Sequence, residues 1–437
     1  MNLLEKYVEK NYRGQEFWFI EEVHNSINQK RVMDVIQMKK YLSGQHAILD
    51  RQVENYNGKP YEQRSVVLQY AKLIANLEAT YLLKNPLTIT GDEDIVKDFK
   101  RIYKRGKFDK VDFELLLNLV KFGNAFEYVY VDGDNIKSKI IHNECAYPVY
   151  NDDAVMIGFV EYYTNLETEY YIVYTEEKVS KYGFVNNQFE EIESFNNVTG
   201  LPIHYKTDND LDYVYGRSDI YDWVNIIDSM EDLVSKFTDS FYKHHNPIPV
   251  VVGQRLTGEG MDKHVVGSGI QLDDGADFKM VSNELNQQAF EVIYKTLKQE
   301  LINIASVPSV SLNATDVSNL SETSMKMLYQ LADMKGGINE KYMRDGLEDR
   351  NEKILNVLSR LGKAYDEEER DSVGIVFHVS RPVNETDVID NLVKLYSMGV
   401  VSKQSVMDIA PYISDTNREI ERLKNESEVS NDGESDL

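Results

Sequence analysis

The amino-acid sequence predicts an α+β fold in which helices predominate. The stretch from 125 to 206 is rich in Tyr, Val, Ile and Thr, residues that favour strands. Three later stretches, at about 219–244, 284–305 and 319–361, repeat apolar residues at helical spacing. Because 42% of the 437 residues are hydrophobic, the chain can bury a large core, and its length suggests two or more structural modules.

Four amphipathic helices are predicted before the sheet region, at about 29–43, 63–84, 92–105 and 111–122. Pro86 ends the second, because proline cannot continue a helix. Four strands follow: Phe126 to Val131, Met156 to Tyr163, Glu169 to Tyr174 and Lys178 to Tyr182. Asp132-Gly133-Asp134-Asn135 has the composition of a hairpin turn after the first strand.

A long helix is predicted to begin after Ser218, which has the side chain of an N-cap, and to end before Pro247. At about 1.5 Å per residue it would be on the order of 40 Å long. One apolar stripe runs along it, made of Trp223, Ile227, Met230, Val234, Phe237 and Phe241. A single chain would leave this stripe partly in water, so packing against a neighbouring copy is expected.

A small excursion separates this helix from a second one. Ile248 to Val252 is strand-like and residues 253–275 are rich in glycine, and an amphipathic helix follows at about 284–305. It breaks at Ser306-Val307-Pro308, after which comes a polar loop. The third helix then extends to about residue 361.

The third helix contains paired glycines, Gly336 and Gly337. Such a pair is one of the few known causes of helix kinks, so a bend is predicted there. The charge run Asp366 to Asp371 is interpreted as an exposed surface loop. Residues 373–380 alternate as a strand.

The C-terminal part is predicted to hold small helices. One follows Asn384-Glu385-Thr386-Asp387, a second is capped by Ser402, and a charged terminal helix begins at Asp415. Residues 426–437 are acidic and polar with nothing to bury, so they are expected to be disordered.

The net charge of the chain argues against one class of function. A formal net charge of -25 and a pI near 4.8 argue against a protein that grips nucleic acid by neutralising phosphates. The same charge is compatible with a surface past which DNA slides. Cys145 is the only cysteine, so no intrachain disulfide forms, and the cytosol is the expected compartment. No leader segment or membrane span is predicted.

Motifs for common chemistry are absent. The sequence contains no phosphate-binding loop, dinucleotide-binding turn, His-Glu-x-x-His helix or Cys-x-x-Cys pair, so no catalytic residue, cofactor or metal is predicted. The chain therefore cannot supply the ATPase of a DNA-packaging motor. Weak signals are interpreted structurally: His142, Cys145, His244 and His245 as ordinary side chains, Asp152-Asp153 and Asp273-Asp274 as turns, and the Tyr-rich stretch 162–174 as strand.

Four segments occur in a characteristic order: Tyr41-Leu42-Ser43-Gly44-Gln45-His46 with Asn55-Tyr56, Tyr215-Gly216-Arg217-Ser218-Asp219-Ile220, Ser306-Val307-Pro308 with the polar loop to Glu322, and Pro382-Val383-Asn384-Glu385. Together they resemble the portal proteins of tailed, siphovirus-type bacteriophages of Gram-positive hosts. No single segment is diagnostic, but their order and spacing cover nearly the whole chain. The resemblance implies the phage portal fold, a ring of subunits around a central channel.

The resemblance also implies a division of the chain. The parts are 1–217 as wing, 218–245 and 284–306 as stem helices, 246–283 as clip, 307–320 as tunnel loop, 321–385 as a kinked wing helix and wing strand, 386–425 as crown, and 426–437 as the disordered acidic tail. The residues expected to line the channel are Asn313, Ala314, Thr315, Asp316, Val317, Ser318 and Asn319. Those expected to dock partners from the clip are Gln254, Arg255, Glu259, Asp262, Lys263 and His264.

The function implied is non-enzymatic. A ring of about twelve subunits would conduct double-stranded DNA, without sequence specificity, into and out of the capsid. The partners implied are the terminase large subunit, the head-tail connector (adaptor), the scaffolding protein and the major capsid protein, with no membrane. The expected location is the virion, after assembly in the host cytoplasm. Two alternatives remain open: a cytosolic scaffold or adaptor that forms no ring, and a carbohydrate-active or cation-dependent enzyme that uses acidic residues of the Tyr-rich sheet.

Overall fold

The structure, a computed structural model, describes residues 2–56, 59–185, 188–244, 248–253, 274–281, 286–308, 322–380, 385–410, 419–420 and 422–423. It combines long helices with two antiparallel sheets, so the predicted α+β class is confirmed.

In the described residues, six α-helices and the short 3-10 helix Ala47–Asp50 precede the two sheets: α1 Leu3–Tyr12, α2 Trp18–His24, α3 Ser26–Leu42, α4 Tyr70–Leu83, α5 Glu93–Gly106 and α6 Phe108–Phe122. The four predicted helices are present. The second begins at Tyr70 rather than 63, however, because the preceding residues give their N–H groups to another helix. The sequence interpretation missed α1, whose N-cap Asn2 accepts from Glu5 N–H in a capping box, and also α2.

The sheet region contains two antiparallel sheets. The first has the order β11-β4-β5, with β4 Asn124–Asp132, β5 Asn135–Ile141 and β11 Ile203–Lys206. The second has the order β10-β9-β8-β7-β6, with β6 Ala146–Tyr150, β7 Met156–Asn165, β8 Thr168–Tyr174, β9 Lys178–Val185 and β10 Gln188–Asn196. The four predicted strands are confirmed. The predicted hairpin turn is also confirmed, since Asp132 pairs with Asn135 and Gly133 has φ +58°.

Three small strand pairs complete the sheets: β1 Glu54–Tyr56 with β2 Lys59–Tyr61, β3 Thr88–Thr90 with β14 Gly374–Val376, and β12 Ile248–Val252 with β13 Asp277–Val281. β14 is the shortened form of the strand predicted at 373–380. β12 confirms the strand predicted at Ile248.

The remaining helices are α7 Ile220–His244, α8 Gln287–Ile304, α9 Glu322–Arg360, α10 Glu367–Asp371, α11 Glu385–Ser397 and α12 Lys403–Ile409. The loop predicted at Asp366 to Asp371 was wrong, because Asp366 and Glu369 form a capping box that starts α10. Ser402 caps α12 as predicted. The start of the terminal helix at Asp415 and the acidic tail lie outside the described residues.

One hydrophobic core joins the first half of α7 to α4, α5, α6, β4 and α9. At its centre Arg350 of α9 is fully buried. Its Nε lies 2.9 Å from Glu127 on β4, and its Nη1 contacts Asp112 on α6. Tyr205 Oη donates to Glu127 at 2.6 Å. Because an unpaired buried charge is costly, this network fixes α9 against α6 and β4.

Candidate functional site: the long helix pair and the segment that crosses it

The structure describes only part of the residues that were predicted to form the site. The channel-lining set Asn313, Ala314, Thr315, Asp316, Val317, Ser318 and Asn319 lies outside the described residues, as does the docking set Gln254, Arg255, Glu259, Asp262, Lys263 and His264. The six residues of the stripe on α7 and the two glycines of α9 are described.

Helices α7 and α8 run antiparallel. Near the end of α7, Phe237 stacks on Phe290 from the start of α8, with 4.0 Å between ring centroids. At the opposite ends, Ile227 of α7 and Leu301 of α8 belong to the same buried cluster. Aromatic stacking therefore holds one end of the pair and the core of the protein holds the other.

The apolar stripe on α7 changes its surroundings along the helix. Trp223, Ile227 and Met230 are buried inside their own chain. Val234 and Phe237 are half-buried, and the Phe241 side chain is 50% exposed. Among the described residues, one chain thus buries the first half of the stripe and leaves Phe241 half-exposed.

A second face of α7 binds residues 46–56 and 59–68, together called the strap here. Alternate backbone N–H groups of the strap donate to side chains spaced four residues apart on α7. The three hydrogen bonds join Arg64 N to Asp239 Oδ1 at 2.8 Å, Val66 N to Ser235 Oγ at 2.9 Å, and Leu68 N to Glu231 Oε1 at 2.7 Å. Two residues of an extended chain span about 6.6 Å and four residues of a helix span about 6 Å. The N–H donors of the strap and the acceptor side chains of α7 therefore have nearly the same spacing.

Charged contacts reinforce the strap. Arg51 lies 2.5 Å from Asp232 and 3.8 Å from Asp239. Tyr61 Oη donates to Asp239 Oδ1 at 3.1 Å. Glu231, Ser235 and Asp239 are buried, so these acceptors face the strap rather than water. The polar face of α7 is therefore an internal interface.

His46, the first residue of the strap, binds α7 and the end of α3. Its Nδ1 lies 2.7 Å from Glu231 Oε1, and its Nε2 lies 2.9 Å from the backbone oxygen of Tyr41. The Tyr41 ring stacks on the imidazole at 3.8 Å, and its hydroxyl donates to Asp228 at 2.9 Å. Burial raises the pKa of Glu231, an effect that the Leu68 N–H and His46 partly offset.

The donor atoms of His46, Asp228 and Glu231 lie within 4.8 Å of one another, as metal ligands would. Both ring nitrogens of His46 and the Glu231 oxygen are already used in hydrogen bonds within the protein. The cluster therefore acts as an internal polar contact.

The start of α7 is anchored to α9. Lys335 Nζ lies 2.7 Å from Asp219, the residue before the helix. Glu78 of α4 is buried beside this pair and accepts from Asn339 Nδ2 at 3.4 Å. Burial, together with the negative charge of Asp219, raises the pKa of Glu78 to about 8, and Lys335 and Asn339 oppose the shift.

The two glycines of α9 have different surroundings. The residues from 322 to 360 are all helical, and the bend at Gly336 and Gly337 stays a prediction. A Cβ placed on Gly336 would lie 3.3 Å from Cε1 of Tyr81, whereas a Cβ on Gly337 would have nothing within 4 Å. Gly336 therefore allows α9 to approach α4.

The sequence interpretation missed the strap. A signal was present, because Asp228, Glu231, Asp232, Ser235 and Asp239 recur at helical spacing on α7. Acidic residues on a helix usually indicate a solvated face, so the pattern alone does not identify an internal interface.

The weaker sequence signals have structural roles. Asp152 pairs with Lys10 at 2.7 Å on the surface, and burial raises the pKa of the Cys145 thiol to about 11. Tyr171 of the Tyr-rich stretch packs against Phe19 of α2, with ring centroids 5.5 Å apart. Within the described part of the chain, no helix has the length and apolarity to cross a membrane.

The sequence comparisons point to one family. The family model for phage portal proteins of the SPP1 Gp6-like type matches residues 22–433. The portal protein of Bacillus phage SPP1 is 21% identical over 382 residues, which cover 81% of this chain and 74% of that protein. Among solved structures, the neck of a native GTA particle computed with C12 symmetry aligns at TM-score 0.45, with 14% identity over 78% of this chain and 88% of that chain. The virion of a native gene transfer agent particle aligns at TM-score 0.46, with 12% identity over 85% and 91%.

Proposed function

Because the chain belongs to the family of SPP1 Gp6-like phage portal proteins, we propose that its copies form a closed ring of about twelve subunits at one capsid vertex. The chain is a portal vertex protein. The match of the family model from residue 22 to residue 433 carries this conclusion. Double-stranded DNA passes through the ring during packaging and again at release.

In this proposal the pair α7 and α8 is the stem of each subunit. Two observations support it. The pair is fixed at one end in the core of its own chain, and Phe241 at the other end is half-exposed.

The charge of the chain suits a channel through which DNA must slide. A formal net charge of -25 disfavours lasting contacts with phosphates.

The finer roles follow the predicted division of the chain. The clip, residues 246–283, docks the terminase large subunit first and the head-tail connector later. The tunnel loop, residues 307–320, lies at the narrowest point of the channel. The wing faces the scaffolding protein and the major capsid protein. Assembly takes place in the host cytoplasm, the finished ring is part of the virion, and the protein has no enzymatic role.

The first test is the mass and the negative-stain shape of the full-length protein at several concentrations, with and without its scaffolding protein. We expect closed rings with a central hole. A monomer under every condition, scaffold included, would favour the non-ring adaptor instead.

A second test addresses the channel. Replacing Asp316 or Asn319 with a bulky residue is expected to leave ring assembly intact and to reduce DNA packaging or retention. Failure of these variants to assemble would mean that the loop is structural and is assigned incorrectly.

A further inference from the structure

A small cavity lies between α4, α9 and the turn that follows α8. Its volume is about 130 Å³. Polar side chains from all three segments line it, among them Glu78 of α4, Lys335 and Asn339 of α9, and Ser306 of the turn. A cavity of this volume admits about four water molecules, and water enters cavities whose walls offer it several polar partners.

Glu78 has an oxygen atom that the surrounding protein does not satisfy. The residue is 9% exposed, and its Oε1 has no hydrogen-bond partner among the described residues. Within the same part of the chain, Oε2 accepts one hydrogen bond, a long one from Asn339 Nδ2 at 3.4 Å. A buried carboxyl oxygen without a partner is costly, so Glu78 requires a hydrogen-bonding occupant of the cavity that it lines.

Lys335 stands close to Glu78 without contacting it. Its Nζ lies 2.7 Å from Asp219 Oδ1, and among the described residues no ion pair within 4.0 Å joins it to Glu78. An ammonium has three donors, and the contact with Asp219 uses one of them. A molecule that both donates and accepts hydrogen bonds can bridge the two side chains, as water does at many polar contacts.

The protonation state of Glu78 favours water over a cation. Burial and the negative charge of Asp219 raise the pKa of Glu78 to about 8, so at neutral pH its carboxyl keeps a proton and can both donate and accept. Metal cations bind ionised carboxylates, and the positive charge of Lys335 disfavours a second cation nearby. The chemistry of the cavity therefore suits neutral water.

Ser306 gives an independent indication of a polar occupant. Its N–H bonds to the Asn303 oxygen at 3.1 Å, and the N–H of Val307 bonds to the Ile302 oxygen at 3.1 Å. These are the two hydrogen bonds of a Schellman motif, in which glycine is the usual residue at the left-handed position. Ser306 occupies that position with φ +53°, although a side chain is disfavoured there. The serine places a hydroxyl group in the wall of the cavity.

We propose that this cavity is a hydration site, in which ordered water molecules join Glu78 of α4 to Lys335 of α9 and to the Ser306 hydroxyl. The predicted tunnel loop, residues 307–320, begins at this turn. Bridged polar contacts thus hold the start of the loop to α4 and α9, in addition to the burial of Val307. The site belongs to a single chain, so it does not depend on ring formation.

The direct test is a density map of the full-length protein at a resolution that shows ordered water. We expect a water peak about 2.5–3.0 Å from Glu78 Oε1, with a second contact to Lys335, Ser306 or another water. Absence of a peak at this position would overturn the proposal. A peak surrounded by oxygen atoms at about 2.3–2.6 Å would also overturn it, because those are the distances of a bound cation such as Ca²⁺.

A pair of variants tests the site by stability. Ala332 lines the cavity and is 6% exposed. Ala332→Val should lower the melting temperature by about 1–4 °C, because the added methyl groups displace water on which Glu78 depends. In a Glu78→Met background the same change should leave the melting temperature unchanged or raise it, since methionine needs no hydrogen bond. Equal shifts in the two backgrounds would indicate crowding alone and contradict the hydration site.

Ala332→Ser is the matched control for the valine variant. Its hydroxyl can take over the hydrogen bonds of a displaced water molecule, so the melting temperature should stay close to that of the unmodified protein. A loss as large as that caused by valine would show that the cavity does not accept a polar group, against the proposal.

Discussion

The two halves of α7 are held by different physical forces. Residues 220–230 bury Trp223, Ile227 and Met230 in the main core, and Asp219 is paired with Lys335 just before the helix begins. From Glu231 onward, hydrogen bonds from the strap and aromatic stacking on α8 take over. The first half depends on apolar burial, whereas the second depends on buried carboxylates and a hydroxyl that accept hydrogen bonds.

The two halves of α7 are therefore expected to respond differently to substitution. Burial of large apolar side chains contributes to the folding of the whole domain. Hydrogen bonds between an extended segment and one helix can open locally, because they bind few other parts of the protein. Changes in the first half are therefore expected to act globally, and changes in the second half to act on the strap and the C-terminal end of α7.

The largest expected effect is that of Trp223→Ala. Trp223 is 2% exposed, and truncating a buried tryptophan costs about 3–5 kcal/mol. Denaturant unfolding should show this loss, or the variant should be insoluble. The control is Tyr221→Ala, since Tyr221 is on the same helix and 46% exposed. Similar losses in both variants would refute a core-anchored first half.

A pH-dependent loss is expected from Glu78, beside the anchor of the first half. The pKa of Glu78 rises from 4.5 to about 8 on folding. Between these pH values the folded state holds a proton that the unfolded state has released, so raising the pH destabilises the fold by up to about 1.4 kcal/mol per pH unit.

Glu78→Gln should remove that contribution, because the amide carries no charge at any pH. Unfolding free energies measured from pH 5 to pH 8 should fall less steeply in this variant than in the unmodified protein. Parallel pH profiles would show that Glu78 is ionised throughout.

A local effect is expected from Glu231→Ala. This change leaves the Leu68 N–H and His46 without their acceptor, at a cost of about 1–3 kcal/mol. Hydrogen exchange of the amides of Arg64, Val66 and Leu68 should accelerate, while exchange in the core helices stays unchanged. Glu231→Gln keeps an acceptor oxygen and should show a smaller acceleration. Uniform acceleration throughout the chain would mean that the strap and the core unfold together.

Much of the fold could be predicted from the sequence because its long helices and four of its strands follow simple periodicity. The exceptions have physical reasons. Val66 was counted in a helical pattern, but its N–H is bonded to Ser235, so α4 begins only at Tyr70. The charge run after Asp366 was taken as a loop, although acidic residues favour the first turn of a helix.

The candidate site was predicted less completely. The stripe on α7 could be found from spacing, because apolar residues on one helical face must be covered. The burial of each residue depends on segments distant in sequence: Trp223 is 2% exposed, whereas Phe241 is 50% exposed. The strap could not be predicted, since Glu231 and Asp239 resemble solvated acids until the partner backbone is known.

The smallest expected effect distinguishes the two glycines of α9, which lie next to the Lys335 anchor of the first half. Gly337→Ala should stabilise the protein by about 0.5–1 kcal/mol, because alanine favours the helix and its Cβ meets no atom within 4 Å. Gly336→Ala should gain less or lose stability, since Tyr81 must move away from a Cβ 3.3 Å from its ring. Denaturant unfolding measures both. The double variant is expected to alter DNA packaging more than folding, because it stiffens the predicted bend behind the tunnel loop. Equal stabilisation by both single changes would mean that the approach of α9 to α4 does not require Gly336, and an unfolded double variant would contradict the predicted role of the bend.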